Sequence, residues 1–255
     1  GPHRSRFAQN HPDWCEMRKD GRLDVSRMCY AVPEVRRERV AILQEAAIIG
    51  CDGLCLDFCR QPPVVLYHPA FVRPYRDKTG RDARSLSLSD RDAYLDWCRF
   101  RADAITQLLR ELKQALDPLR DRECRALPVQ ARVPNDGFEA NLIGGLDVVR
   151  WCEEGLVEEL ALSELHWLKE YATWSDLPYI ELGRRTGVAV YASSNCLPVQ
   201  AGGWGGAVNP RGVNPWVLAQ RALRSFEAGA DGISLYQSDT GVRWPGMPQA
   251  LRAMA

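Results

Sequence analysis

The sequence predicts an α/β fold in which helices alternate with the strands of an all-parallel sheet. Two observations carry this. First, one helix-to-strand junction occurs twice in the same register, as Gly50-Cys-Asp-Gly-Leu-Cys-Leu-Asp57 and as Gly229-Ala-Asp-Gly-Ile-Ser-Leu-Tyr236. In each copy an apolar-periodic helix stops at Gly, an Asp-Gly pair turns the chain, and an apolar strand follows. Second, five short apolar stretches alternate with helical segments, and parallel neighbours need a crossover of the kind a helix supplies. Only the first junction ends in a carboxylate, Asp57, where the second has Tyr236 and then Gln237. That asymmetry marks a site at one rim of the sheet.

The elements follow in order. Residues from Arg4 to Asp24 read as loop. A helix starts at Pro33, a residue suited to a first helical position, and runs through Val40, Leu43 and Ala47 to Gly50. The first strand covers Gly53 to Phe58, and a long loop from Gln61 to Asp90 leaves its carboxyl end. The strongest helix spans Asp90 to Leu116, with Leu95, Cys98, Ala102, Ile105, Leu109 and Leu112 at helical spacing, Ser89 as N-cap and Pro118 helping to end it. Strands over Arg125 to Val133, Leu156 to Ser163, Val188 to Ser193 and Gly232 to Gln237 alternate with helices over Leu146 to Glu154, Asp176 to Thr186 and Pro215 to Ala228. The helices before three of these strands stop at Gly155, Gly187 and Gly229. A second long loop covers Asn195 to Asn214, and Met247 to Ala255 reads as a final, shortened helix.

Composition narrows the function classes. At 255 residues, 45% apolar and 26% charged, the chain is globular and long enough to bury a substantial core. Equal numbers of basic and acidic residues, 33 of each, lack the electrostatic footprint of a nucleic-acid partner. No apolar run reaches the roughly 18 to 20 residues that span a bilayer. The chain opens without an initiator Met, so the lack of a leader says nothing about its compartment. Nine cysteines, without a Cys-x-x-Cys pair, argue against both a complete disulfide framework and a zinc ribbon. Cys51, Cys55 and Cys59 flank or occupy a strand and read as small hydrophobes. Four histidines without metal-ligand spacing predict no catalytic zinc, and nothing implies another cofactor.

An all-parallel sheet is either open and doubly wound or closed into a barrel. The first normally shows a Gly-rich phosphate turn between a strand and its helix. None occurs there. The glycines of Gly202-Gly-Trp-Gly-Gly206 follow a strand by about nine residues and include Trp204, which reads as a loop. Both long loops leave carboxyl ends of strands, the rim that carries chemistry in a (β/α)₈ TIM barrel, so the barrel is favoured. Only about five β/α units are visible. They fit strands four to eight of a partial barrel forming a single domain over residues 1–255, whose two uncovered sheet edges would favour aggregation.

At these residues the chain resembles the family 10-like glycosyl hydrolases, which are barrel proteins. The resemblance rests on His11-Pro-Asp-Trp14, a Gly21 turn, Pro33-Glu-Val-Arg36, Asp52-Gly-x-x-x-Asp57-Phe-x-Arg60, Trp151-x-x-Glu-Gly-Leu-Val157 and Gly229-Ala-Asp-Gly232. Together these cover most of the chain in the family's order. What the resemblance implies is hydrolysis of glycosidic bonds in an oligo- or polysaccharide, in a secreted or periplasmic setting, with a cytoplasmic one left open. The first strand also looks like the chitinase-type signature Asp-Gly-x-Asp-x-Asp-x-Glu. Here the middle Asp becomes Cys55 and the acid Glu becomes Cys59, so chitinase chemistry loses its acid.

Glycoside hydrolysis uses two carboxyl groups, about 5 to 5.5 Å apart for retention or about 6.5 to 9.5 Å for inversion. Asp57, at a strand's carboxyl end, is the first candidate. It acts as nucleophile or charge stabiliser, or else it pairs structurally with Arg60 or caps the following loop. Glu164, after the strand ending at Ser163, is the candidate acid/base, with Trp167 as an apolar neighbour. The alternative for Glu164 is a solvated loop residue, and Asp239 is a substitute. Glu158 and Glu159 precede the rim. Trp14, Tyr67, His68, His166, Trp167, Trp174, Asn195, Trp204 and Gln237 sit in loops or at strand ends where rings stack on sugars and polar groups read hydroxyls. Trp97 and Trp151 lie on helices and read as core. A non-catalytic carbohydrate-binding barrel is the alternative. An aldolase or isomerase would want a Schiff-base Lys at a strand end, whereas Lys113 and Lys169 lie on a helix and in a loop. Esterase chemistry has no nucleophile elbow to support it.

Overall fold

A computed structural model describes residues 5–59, 63–123, 126–163, 175–193, 215–235 and 246–254. The chain opens with α1 (Arg6–Asn10), β1 (Cys15–Met17) and β2 (Leu23–Met28), followed by α2 (Pro33–Ile49), β3 (Leu54–Asp57), α3 (Pro69–Thr79) and α4 (Arg91–Glu123). Next come β4 (Val129–Pro134), α5 (Phe138–Ile143), α6 (Val148–Glu153), β5 (Glu159–Ser163), α7 (Leu177–Thr186), β6 (Ala189–Ser193), α8 (Pro215–Glu227), β7 (Gly232–Ser234) and α9 (Met247–Met254). The five strands β3-β4-β5-β6-β7 form one parallel sheet in sequence order.

The two faces of this sheet differ in chemistry. Register partners share a face, so Leu54, Leu56, Val129, Ala131, Val133, Leu160, Leu162, Val190 and Ala192 all point one way. These side chains join one core cluster with helical residues such as Ala47 of α2, Leu112 of α4, Trp151 of α6 and Ile180 of α7. Cys55, Asp57, Gln130, Arg132, Glu159, Ser163, Tyr191 and Ser193 occupy the other face. A parallel sheet with helices on both sides would be apolar on both. Here the strands alternate, and the helices sit on the apolar side. Sequential strand order gives the same result, because right-handed crossovers that all step in one direction put their helices on one face.

α4 is the spine of the core. Leu95, Cys98, Ala102, Ile105, Leu109, Leu112, Leu116 and Leu119 recur every three or four residues and are all buried. Each buried Leu or Ile contributes about 1.5–3 kcal/mol of apolar transfer. Pro118 was expected to end this helix and does not. Leu119 is buried beyond it, and Arg120 ties the last turns to the Leu127 carbonyl at 2.7 Å and the Glu158 carboxylate at 2.9 Å. Those contacts hold the helix through the backbone bond that proline cannot donate. The N-cap also differs. Asp90 Oδ1 accepts from the Ala93 N–H, while Ser89 instead contacts Ser87.

Two expected loops contain structure. The opening residues form the antiparallel hairpin β1–β2, turned at Gly21 with φ +86°. Its first strand is three residues long, too short for alternation to register. The segment read as loop between Gln61 and Asp90 contains α3, with His68 Nδ1 capping the Ala70 N–H and Gly80 ending it in the left-handed region. The short α5 was also missed. Elsewhere the glycine stops hold, with Gly50, Gly155, Gly187 and Gly229 all at positive φ. At the amino ends of the strands, Asp231 accepts from the Val190 N–H at 2.8 Å and Glu158 from the Val129 N–H at 2.7 Å. These acids staple the bottom of the sheet. Among the described residues, no helix is long and apolar enough to cross a membrane.

Candidate functional site

The carboxyl ends of β3, β4 and β5 are joined by a row of polar side chains on the sheet's polar face. Asp57 stands opposite Arg132 in the β3–β4 register. Arg132 Nη1 donates to Asp57 Oδ2 at 2.9 Å, and Arg132 Nη2 donates to Ser163 Oγ at 2.5 Å. Asp57 Oδ1 accepts the Cys59 N–H at 2.9 Å. The guanidinium is 10% exposed and the Asp57 side chain 38%, so the carboxylate faces solvent over a buried cation. The geometry fixes both carboxylate oxygens in direction, which a flexible surface pair would not do.

A second layer lies over the ends of β4, β5 and β6. The Asn135 N–H donates to the Ser163 carbonyl at 3.0 Å, and Asn135 Nδ2 to Asp176 Oδ1 at 2.8 Å. Asp176 Oδ2 accepts the Ser193 N–H at 2.9 Å. Burial raises the Asp176 carboxyl above the usual carboxylate range, and its bonds from Asn135 and Ser193 partly oppose this. Below it, the Tyr179 hydroxyl donates to the Pro134 carbonyl and accepts from Asn141 Nδ2 and the Gly137 N–H. Asp136, beside Asn135, is 1% exposed.

The thiols nearby are poor nucleophiles. Burial pushes Cys59 up to about 12 and also raises Cys55, so the ionised form is disfavoured at both. Among the described residues, Cys29, Cys55, Cys59, Cys98 and Cys152 are free thiols. Among the described residues, no group of three or more His, Cys, Asp or Glu side chains is placed to hold a metal ion.

The expected site residues fall into three groups. Asp57 is at the rim, and Arg132 of the neighbouring strand pairs with it. Arg60, the expected partner, lies outside the described residues, as do Glu164, His166, Trp167, Trp174, Asn195, Trp204, Gln237 and Asp239. Trp14, Tyr67 and His68 are described. Trp14 is half-buried, stacked on His11 with centroids 3.7 Å apart, and packs with Cys15, Met28 and Val35. Tyr67 is 8% exposed, stacked against Trp97 under the Arg101 guanidinium. His68 is 9% exposed, with Nδ1 capping α3 and Nε2 bonded to the Asp13 carbonyl at 2.9 Å. Tyr67 and His68 therefore present almost no ring face to a sugar. Trp97 and Trp151 are fully buried, as their helical positions implied. Sequence reasoning missed Arg132, Ser163, Asn135 and Asp176. One signal was available: Gln130 and Arg132 alternate with Val129, Ala131 and Val133, the pattern of a strand with one polar face. No protein-family model matches the chain, and no curated protein matches it.

Proposed function

We propose that this chain is a glycoside-hydrolase-like β/α-barrel protein that binds an oligo- or polysaccharide over the carboxyl ends of its strands, with Asp57 as the functional carboxylate. The observation that supports it best is the bonded row Asp57–Arg132–Ser163 at the rim of a polar sheet face. Sequential parallel order with helices on one face is the arrangement of a barrel arc, and that rim is where barrel enzymes work. The resemblance to family 10-like glycosyl hydrolases points to the same Asp57.

In this reading Asp57 meets the positive charge that develops at the anomeric carbon, as nucleophile or stabiliser. Arg132 holds the carboxylate in one orientation, so little reorganisation is needed when the charge forms. Glu164, the residue after Ser163, is the proposed acid/base. The test is Asp57→Asn, assayed against a glycan panel with the folded state checked by circular dichroism. Loss of cleavage with folding intact is expected, and unchanged turnover would overturn the assignment. A second reading is favoured by the engagement of both Asp57 oxygens: a non-catalytic carbohydrate-binding barrel in which Asp57 and Arg132 are structural. Glycan binding by the unmodified chain without cleavage selects that reading.

A further inference from the structure

Between β2, α2 and β3 lies a cavity of about 370 Å³, within the range of small-molecule sites. Asp57 is on its wall, but most of the cavity belongs to other elements. Met28, Leu43, Phe58 and Leu108 give it an apolar body, with Met28, Phe58 and Leu108 themselves buried. Arg27, Arg39 and Tyr30 supply its polar groups.

These arginines are incompletely satisfied. Arg27 Nη1 donates to the Pro63 carbonyl at 2.6 Å, yet its buried Nε finds no hydrogen-bond acceptor among the described residues, with Asp24 at 3.8 Å. Arg39 Nε is likewise buried without an acceptor, with the Glu38 carboxylate at 3.5 Å. A buried N–H without a partner costs about 1–3 kcal/mol, which an incoming acceptor recovers. Charge favours an anion as well. Of the residues that line the cavity, Arg27 and Arg39 are cationic and Asp57 alone is acidic.

We infer that this cavity binds an amphipathic carboxylate, its apolar part among Met28, Leu43, Phe58 and Leu108 and its anionic head on Arg27 and Arg39. The inference stands on the cavity and does not require hydrolysis at Asp57. The test is calorimetric titration of the full chain with octanoate, with 1-octanol as the uncharged probe and acetate as the head group alone. Octanoate should bind more tightly than either. Loss of one charge-assisted bond in Arg39→Gln should weaken octanoate about 10-fold or more and leave octanol unchanged. Arg39 is partly exposed, so this variant should fold even if Arg27→Gln does not. Equal binding of octanoate and octanol, an unchanged octanoate affinity in Arg39→Gln, or no binding up to about 10 mM would each overturn the inference.

Discussion

Glu16 makes the stability of this protein fall as pH rises through the mildly acidic range. It lies on β1, fully buried, against Cys29, Leu66 and Arg101. Burial dominates and raises its carboxyl from 4.5 to about 7, while the Leu66 and Met17 N–H groups and Arg101 oppose the shift. The folded chain therefore keeps a proton between pH 4.5 and about 7 that the unfolded chain has released. Where the folded state binds more protons, stability declines with rising pH. The contribution is full below 4.5, declines across that window, and is flat above about 7. The rise from 4.5 to about 7 corresponds to roughly 3 kcal/mol. Glu16→Gln keeps the shape and removes the titration. Urea unfolding of both proteins from pH 4 to 8 should show the variant gaining about 3 kcal/mol relative to wild type across the window. Asp147 and Asp176, also raised by burial, cancel in the difference. A difference constant to within about 0.5 kcal/mol over that range would refute the reasoning.

Two further perturbations test the sheet. Arg132→Met removes a buried cation from between Asp57 and Ser163. Because Asp57 is more than a third exposed, the expected loss is about 1–3 kcal/mol in urea unfolding, below the range for a fully buried pair, and Arg132→Lys should recover part of it. Gly183→Ala tests how closely α7 packs on β6. An added Cβ would lie 2.5 Å from the Val188 carbonyl oxygen and from Val190 Cγ2. The helix-propensity gain of roughly 1 kcal/mol is outweighed by overpacking against backbone, so a net loss of about 2 kcal/mol and a lower Tm are expected.

The fold was legible where glycine and periodicity act together. Gly50, Gly187 and Gly229 end helices at positive φ, and each next strand begins within five residues. Legibility failed where an element was short or proline misled. The segment Pro69-Ala-Phe-Val-Arg-Pro-Tyr75 looks like loop because it contains two prolines. Yet Pro69 occupies a helix start, and Phe71, Val72 and Tyr75 lie on one face and are buried. Pro118 misled in the other direction, because tertiary contacts of Leu119 and Arg120 are invisible to local propensity. At the site, Asp57 was legible from its position after an apolar strand. The pairing with Arg132 was not, because a cation across a parallel pair is fixed by register, and register depends on the whole sheet.

Register also limits which described carboxyl can work with Asp57. Glu159 shares its face, but Asp57 is level with Arg132, and Arg132 is level with Ala161. Glu159 is thus two strands across, about 9.6 Å, and two residues lower, about 7 Å, which separates the backbones by about 12 Å. It also accepts from Gln130 at 2.7 Å, so it is directed within the sheet. Asp176 is at the rim instead, bridging the ends of β4 and β6 through Asn135 and Ser193. The two rim aspartates sit in opposed environments. Asp57 is half-open to solvent and paired with a cation, whereas Asp176 is half-buried, accepts from the neutral donors Asn135 and Ser193 and is shifted toward its protonated form. A carboxyl held toward its protonated form is what an acid role requires. In the proposed glycosidase reading Asp176 therefore competes with Glu164 for the acid role, although the sequence shows it only as the start of a helix.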